Sequence, residues 1–324
     1  MIFTLLQRVA QMLFVMFGIS VLVFAIFFAT PGADPSARIA GRNASPETLA
    51  AVRHDFGLDK PLPVQYGLLM ERLFVTGELT SFVNRGERVL PEVVAATPIT
   101  LSLVLGASVL WIAGGILIGV VAAATRGSLL DRALMVTGLV GISLPVYWLG
   151  AVMNLLTQSR WHDTVLFSWV PPLGYIALTE DPWGWFKVLV IPWLTLAVFY
   201  AGLYGRILRA AIIEAGQEDY IRTARAKGLG ETRILLRHAL RCSLITVVTL
   251  FGLDFGALVG GGALLTEVVF GLHGIGKLTY DSLVSLDLPV IMATVMYGSF
   301  FVVAANALVD ILYAFVDPRV RGGH

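Results

Sequence analysis

The segment Gly271-Leu272-His273-Gly274-Ile275-Gly276-Lys277 carries the glycines and the lysine with which a phosphate loop wraps a nucleotide. That chemistry requires Ser or Thr directly after the lysine, to hold magnesium, and a strand running into a helix. Leu278 follows the lysine instead and Thr279 comes one residue late, so no nucleotide site is expected here. The histidines His54, His162, His238, His273 and His324 are scattered, with no pair at helical metal-ligand spacing. Cys242 is the single cysteine, which excludes an internal disulfide framework and a cysteine-based metal cluster. The chain is expected to be no enzyme and to bind no cofactor or metal of its own.

Three other groups of residues have chemistry to offer. The stretch Asp219-Tyr220-Ile221-Arg222-Thr223-Ala224-Arg225-Ala226-Lys227-Gly228-Leu229-Gly230 places Glu218 and Asp219 in the first turn of a short helix. Arg225 and Lys227 fall in its last turn, as the helix dipole prefers. Gly228 supplies the left-handed residue that ends it, and a second helix starts near Glu231. Ala224, Ala226 and Gly228 keep this surface low, so another protein is able to approach the backbone closely. Asp254 interrupts an apolar run, where a charged carboxylate costs about 2.5–3.5 kcal/mol. It must face protein or water, either as a structural hydrogen bond or as a path-lining group that attracts a solute's ammonium. Asn154 and Asn306 are expected to hydrogen-bond between helices, with solute contact as the alternative for either. Gly252, Gly256 and Gly260 fall four apart, the spacing of a face on which helices pack closely. Cys242 is read as a passive packing residue, and Asp310 as a boundary residue or an arginine partner.

The elements that must position these residues follow from hydropathy. Of 324 residues 57% are hydrophobic and only 14% charged, and mean hydropathy is +0.80. A soluble domain keeps about a quarter of its residues charged, so most of this surface meets lipid. The net charge of +1 argues against nucleic acid as a partner. Residues 9–30, 99–124 and 133–157 are apolar and uncharged; 188–205 runs into Arg206; 243–266 is interrupted only by Asp254, and 289–316 only by Asp310. Each is expected to be one helix, because irregular backbone is not tolerated against lipid. The expected fold is an all-α integral membrane protein of about six transmembrane helices with an extracytoplasmic insertion after the first. The first helix is read as an uncleaved anchor, its apolar run being too long for a signal core. Basic residues concentrate in 206–241, which places that block and both termini in the cytoplasm and the long segment 31–98 outside. Within that segment Ser45-Pro46 starts a helix that Gly57 stops, and Pro63 opens another that Gly77 ends. The organisation expected is an anchor helix plus extracytoplasmic loop over 1–98, a five-helix core over 99–316 containing the loop 206–241, and a tail over 317–324.

The 219–230 stretch resembles the coupling loop of permease subunits in binding-protein-dependent ABC importers, most closely the dipeptide and oligopeptide branch. The family pattern of Glu-Ala-Ala, three variable residues and Gly is met by Arg222-Thr223-Ala224 with Gly228 in register. Arg237-His238-Ala239-Leu240-Arg241, Gly57-Leu58-Asp59-Lys60-Pro61-Leu62 with Gln65-Tyr66, Val309-Asp310-Ile311-Leu312-Tyr313 and Asp317-Pro318-Arg319-Val320-Arg321 also resemble that branch. Cys242 and Thr246 stand where the branch usually has Asn and Pro, and Gly77-Glu78-Leu79-Thr80 departs from its Gly-Asp-Leu-Gly turn.

The resemblance implies a type I ABC importer permease in a prokaryotic cytoplasmic membrane. Its implied partners are a second homologous permease, two ATP-binding subunits that use ATP and magnesium, an extracytoplasmic solute-binding protein and the lipid bilayer. Asp219, Tyr220, Arg222, Ala224, Lys227 and Gly228 would couple to the ATPase, with Tyr220, Ala224, Lys227 and Gly228 in its groove. Asp254 and Asn154 would lie on the translocation path. Gly252, Gly256 and Gly260 would pack closely, on the partner permease near that path. Di- or oligopeptides are the expected solute; a nickel complex, glutathione, or an ion-coupled secondary transporter are the alternatives.

Overall fold

The structure is a computed structural model that describes residues 2–28, 36, 45–84, 86–158 and 161–316. Among them, helix α1 (Ile2–Phe28) is followed by α2 (Pro46–Phe56), α3 (Leu62–Glu71) and a wide turn, Arg72–Thr76. Then come α4 (Val89–Ala124), α5 (Leu129–Ser143), α6 (Val146–Gln158), α7 (Pro182–Ala215), α8 (Asp219–Ala226) and α9 (Glu231–Ile234). The last are α10 (Leu240–Ala257), α11 (Leu264–Val269), α12 (Ile275–Ser285) and α13 (Leu288–Val316). No strand occurs among the described residues. Five helical stretches are long and apolar enough to cross a membrane, or six if α5 and α6 form one bent span.

Two of the expected spans are not single helices. The run 133–157 breaks between α5 and α6, which meet at 93°. Leu144 is extended (φ −81°, ψ 125°) because the ring of Pro145 clashes with a helical residue before it. The run 243–266 loses its regular helix at Leu258–Gly262, where Gly261 takes φ 110°, a conformation open to glycine and strained for other residues. The fourth run does not stop at Gly205: α7 continues to Ala215 and carries Arg206 and Arg209 with it, so the first part of the predicted loop 206–241 is helical. The two short helices of the 31–98 segment lie where expected, closed by Gly57 and Gly77 in left-handed conformation. The phosphate-loop-like segment joins helix α11 to helix α12 and has no strand before it.

The chain forms two compact units interleaved along the sequence. The first holds residues 1–100, 259–264 and 273–304. Its core gathers Val23 and Phe24 of α1, Leu69 of α3, Val89 of α4, Ile275 of α12 and Met292 of α13. Ser20 and Tyr66 share a hydrogen bond of 2.7 Å, and Phe24 meets the Tyr66 ring edge-on. The buried carboxylate of Asp287 takes hydrogen bonds from the Ser81 hydroxyl and, at 3.0 Å, from the Phe82 amide.

The second unit holds 101–258, 265–272 and 305–324. Its centre is α7, against which α4 and α5 pack through small residues. A Cβ on Gly119 would lie 2.9 Å from Leu208, and one on Gly138 would lie 3.4 Å from the Gly202 backbone. The Trp193 indole donates to the Ser102 carbonyl at 2.9 Å, which fixes α7 to α4. The apolar chemistry of these faces does not by itself drive association in lipid; close van der Waals approach between small residues does.

Candidate functional site

Helix α8 begins at Asp219 with Glu218 as its extended N-cap residue and ends at Ala226. Lys227 closes it with an amide bond to the Thr223 carbonyl, and Gly228 follows with φ 79°. The Leu229 amide bonds back to the Ala224 carbonyl at 3.3 Å, so the corner completes a C-terminal cap of the type glycine permits. Beyond it, Arg225 reaches across the turn and grips both carboxylate oxygens of Glu231 in α9, at 2.7 and 3.2 Å. This pair holds the α8–α9 angle, although the exposure of both groups keeps its contribution to stability small.

The two faces of α8 differ sharply. Ile221 and Ala224 are buried, so the helix docks on its own chain through these two residues. Asp219, Tyr220, Arg222, Ala226, Lys227 and Gly228 are exposed and form the outer face. Ala224 therefore departs from the expected surface: it anchors the helix, and the low outer surface belongs to Ala226 and Gly228. Arg222 and Asp219 pair at 3.3 Å on this face. Although 43% of Tyr220 is exposed, partial desolvation of its hydroxyl and the neighbouring Cys242 thiol push it up to about 12, so it remains a neutral donor at physiological pH. Cys242 is exposed, not packed as the sequence led us to expect, because its place on the first turn of α10 faces α8 rather than the bundle.

The residues expected on a path separate into two environments. Asp254 of α10 accepts a hydrogen bond of 2.7 Å from the Tyr204 hydroxyl of α7. Trp111, Tyr200, Tyr204 and Phe251 surround that bond as a connected set of rings. Asn154 lies on α6, where its Nδ2 donates to the Val269 carbonyl at 3.0 Å and its buried Oδ1 finds no partner among the described residues. The expected interhelical bond of Asn154 is thus half made, and the Asn306 Oδ1 is likewise buried without a described partner. The side chain of Asp310 lies outside the described residues.

The glycines of the 252–260 run pack closely within the chain. A Cβ on Gly252 would collide with Val309 of the chain's own last helix, and one on Gly260 would lie 2.9 Å from the Gly298 carbonyl oxygen. Gly256 is buried. Gly252 and Gly260 therefore close the chain on itself.

Sequence reasoning missed one charged pair. Arg209 of α7 forms a two-pronged bond with Asp131, through Nε to Oδ1 and Nη2 to Oδ2. Asp131 also accepts from the Gly127 amide at 2.9 Å, and its own amide donates to the Ser128 hydroxyl at 3.2 Å. The signal was present: Ser128-Leu129-Leu130-Asp131 has the spacing of a capping box. That pattern locates the start of α5 and the acid; only packing reveals that the acid faces Arg209.

A small exposed helix thus follows the long apolar helix α7 and is held at a fixed angle by its own cap. The fold is similar to a structure described as inward-facing conformations of the MetNI methionine ABC transporter, with a TM-score of 0.56 at 20% identity over 72% of this chain and 99% of that one. The chain belongs to the family of binding-protein-dependent transport system inner membrane components, which it matches over residues 115–322. Residues 1–104 match the corresponding N-terminal region of such membrane components. Over 317 residues it is 39% identical to a putative peptide transport system permease protein of Brucella abortus, with 98% of each chain covered. It is 35% identical to the di/tripeptide transport system permease protein DppB of Pseudomonas aeruginosa, over 97% of each. It is 36% identical to the probable D,D-dipeptide transport system permease protein DdpB of Escherichia coli K12, over 98% of this chain and 97% of that one.

Proposed function

We propose that this chain is a path-forming subunit of an ATP-driven importer of di- or oligopeptides. The observation that carries the reading is α8: its outer face is exposed, its inner face is anchored by Ile221 and Ala224, and Arg225 ties it to α9. An anchored helix transmits a push or pull to the helices on either side of it, here α7 and α10. Peptide transport stands in the names of the relatives that match the chain end to end, and this supports peptides as the solute.

On this reading both termini and the 206–241 segment are cytoplasmic, in keeping with the positive-inside distribution, and α8 seats in a groove of a partner ATPase. Asp219, Tyr220, Arg222, Lys227 and Gly228 meet that groove. The chain performs no chemistry: ATP and magnesium are handled by two partner subunits, a second permease completes the path, and an external binding protein delivers the solute. Closure of the ATPases on ATP pulls α8, and α7 and α10 swing the path from inward- to outward-facing.

The test is uptake into proteoliposomes that contain the chain with its partner permease, ATPases and binding protein. Peptide uptake that requires internal-facing ATP hydrolysis and ignores an imposed ion gradient is the expected result. Uptake driven by the gradient without ATP would replace the importer reading with ion-coupled transport.

A further inference from the structure

Asp254 sits in the apolar middle of α10 and receives one hydrogen bond, from Tyr204 to Oδ2. Among the described residues no Lys, Arg or His pairs with it; the ion pairs lie at Arg88, Arg209, Arg222, Arg225 and Lys277. A carboxylate in such surroundings is costly unless a counter-charge or further hydrogen bonds meet it. Asp254 is only partly buried within the chain.

The walls around it are aromatic and come from three helices. Trp111 of α4 lies 4.8 Å from Tyr200 and 6.1 Å from Phe251, centroid to centroid, and Tyr200 lies 6.4 Å from Tyr204. Aromatic faces attract cations, most strongly where water is scarce. Trp111 is itself fully buried beside Tyr204, so it backs the site rather than opening into it. Carboxylate and aromatic faces together complement a primary ammonium, the group at the amino end of a peptide.

We propose that Asp254, Tyr204 and the Trp111–Tyr200–Phe251 rings form an intramembrane subsite for the terminal ammonium of a transported peptide; this rests on the peptide-import reading above. Asp254 supplies the charge, Tyr204 holds its carboxylate in place, and the rings exclude water and face the cation. A neutral or acylated amino end gains nothing from this site.

The experiment measures direct binding to the complete transporter in nanodiscs, without binding protein and without nucleotide. The probes are radiolabelled trialanine amide, which carries one positive charge, and N-acetyl-trialanine amide, which carries none. The native transporter is expected to prefer the charged probe by about tenfold, the ratio that 1.4 kcal/mol produces. Asp254→Asn keeps an acceptor for Tyr204 and removes only the charge, so the preference should fall to near unity. Asp254→Glu, which returns the charge, should restore it, and this also guards against a folding defect. Equal binding of the two probes by the native transporter, or an unchanged preference in Asp254→Asn, would overturn the assignment and leave the Tyr204–Asp254 bond as helix packing. Loss of preference in Asp254→Asn combined with no ATP-driven peptide uptake by the native transporter would keep the subsite and remove the import reading instead.

Discussion

The Arg209 guanidinium grips both oxygens of Asp131, with Nε 2.6 Å from Oδ1 and Nη2 2.7 Å from Oδ2. Planar two-point contact of this kind is specific to arginine, because a lysine ammonium meets a carboxylate at a single point. The pair joins the first turn of α5 to α7, the long helix that leads into α8. Arg209→Lys should therefore lower the Tm of the purified transporter, and Asp131→Ala should lower it further by leaving the guanidinium without its acid. A double-mutant cycle of Asp131→Ala and Arg209→Ala gives the coupling directly. Additive losses would show that the two side chains act separately.

Gly228 tests the α8 corner. A Cβ placed there would meet nothing within 4 Å, while φ is +79°, so backbone conformation rather than space selects glycine. A left-handed backbone costs an ordinary residue about 1–2 kcal/mol, and asparagine tolerates it better. Gly228→Asn should keep most ATP-driven uptake, whereas Gly228→Trp should reach the membrane and lose it, since on the proposed reading the indole also stands where the ATPase would dock. Normal uptake by the tryptophan variant would separate α8 from coupling.

Gly252 and Gly260 differ in what they touch. An added methyl at Gly252 meets the Val309 side chain, which is able to turn aside, while one at Gly260 meets the Gly298 backbone, which is not. Overpacking typically costs about 1–3 kcal/mol. Gly260→Ala should fall at the upper end and Gly252→Ala at the lower, read as Tm in detergent. The reverse order would show that the 252–260 stretch shifts as a whole rather than yielding locally.

The proposed orientation is open to labelling. Ser45 and Thr232 are both exposed, so a cysteine at either should react with an impermeant thiol reagent, the first from outside and the second from the cytoplasm. The exposed Cys242 has to be replaced by serine first, since it would itself label from the side of α8. Reaction of both introduced cysteines from one side would refute the six-span arrangement.

Much of this molecule was legible in its residues taken in order. Membrane helices announce themselves because hydrocarbon demands long apolar runs with no broken backbone. The caps at Gly57, Gly77 and Gly228, and the start of α9 at Glu231, follow from local backbone sterics that act within one turn. The likeness of 222–228 to a coupling motif was likewise visible without coordinates. Helix breaks were harder: Pro145 and Gly261 sit in sequences so apolar that hydropathy reads straight through them.

What only the tertiary structure decided is which face of each helix meets which neighbour. Ala224 and Gly228 are both small, yet one is an inward anchor and the other an outward corner. Gly252 and Gly260 have a spacing that suits close helix packing, and only the structure shows that they pack on the chain's own last helix. Asp254 and Tyr204 are separated by 50 residues and Asp131 and Arg209 by 78. No local rule pairs such residues, because in a bundle where every surface is apolar the pairing is set by close packing of small residues and by the few polar groups that must find each other.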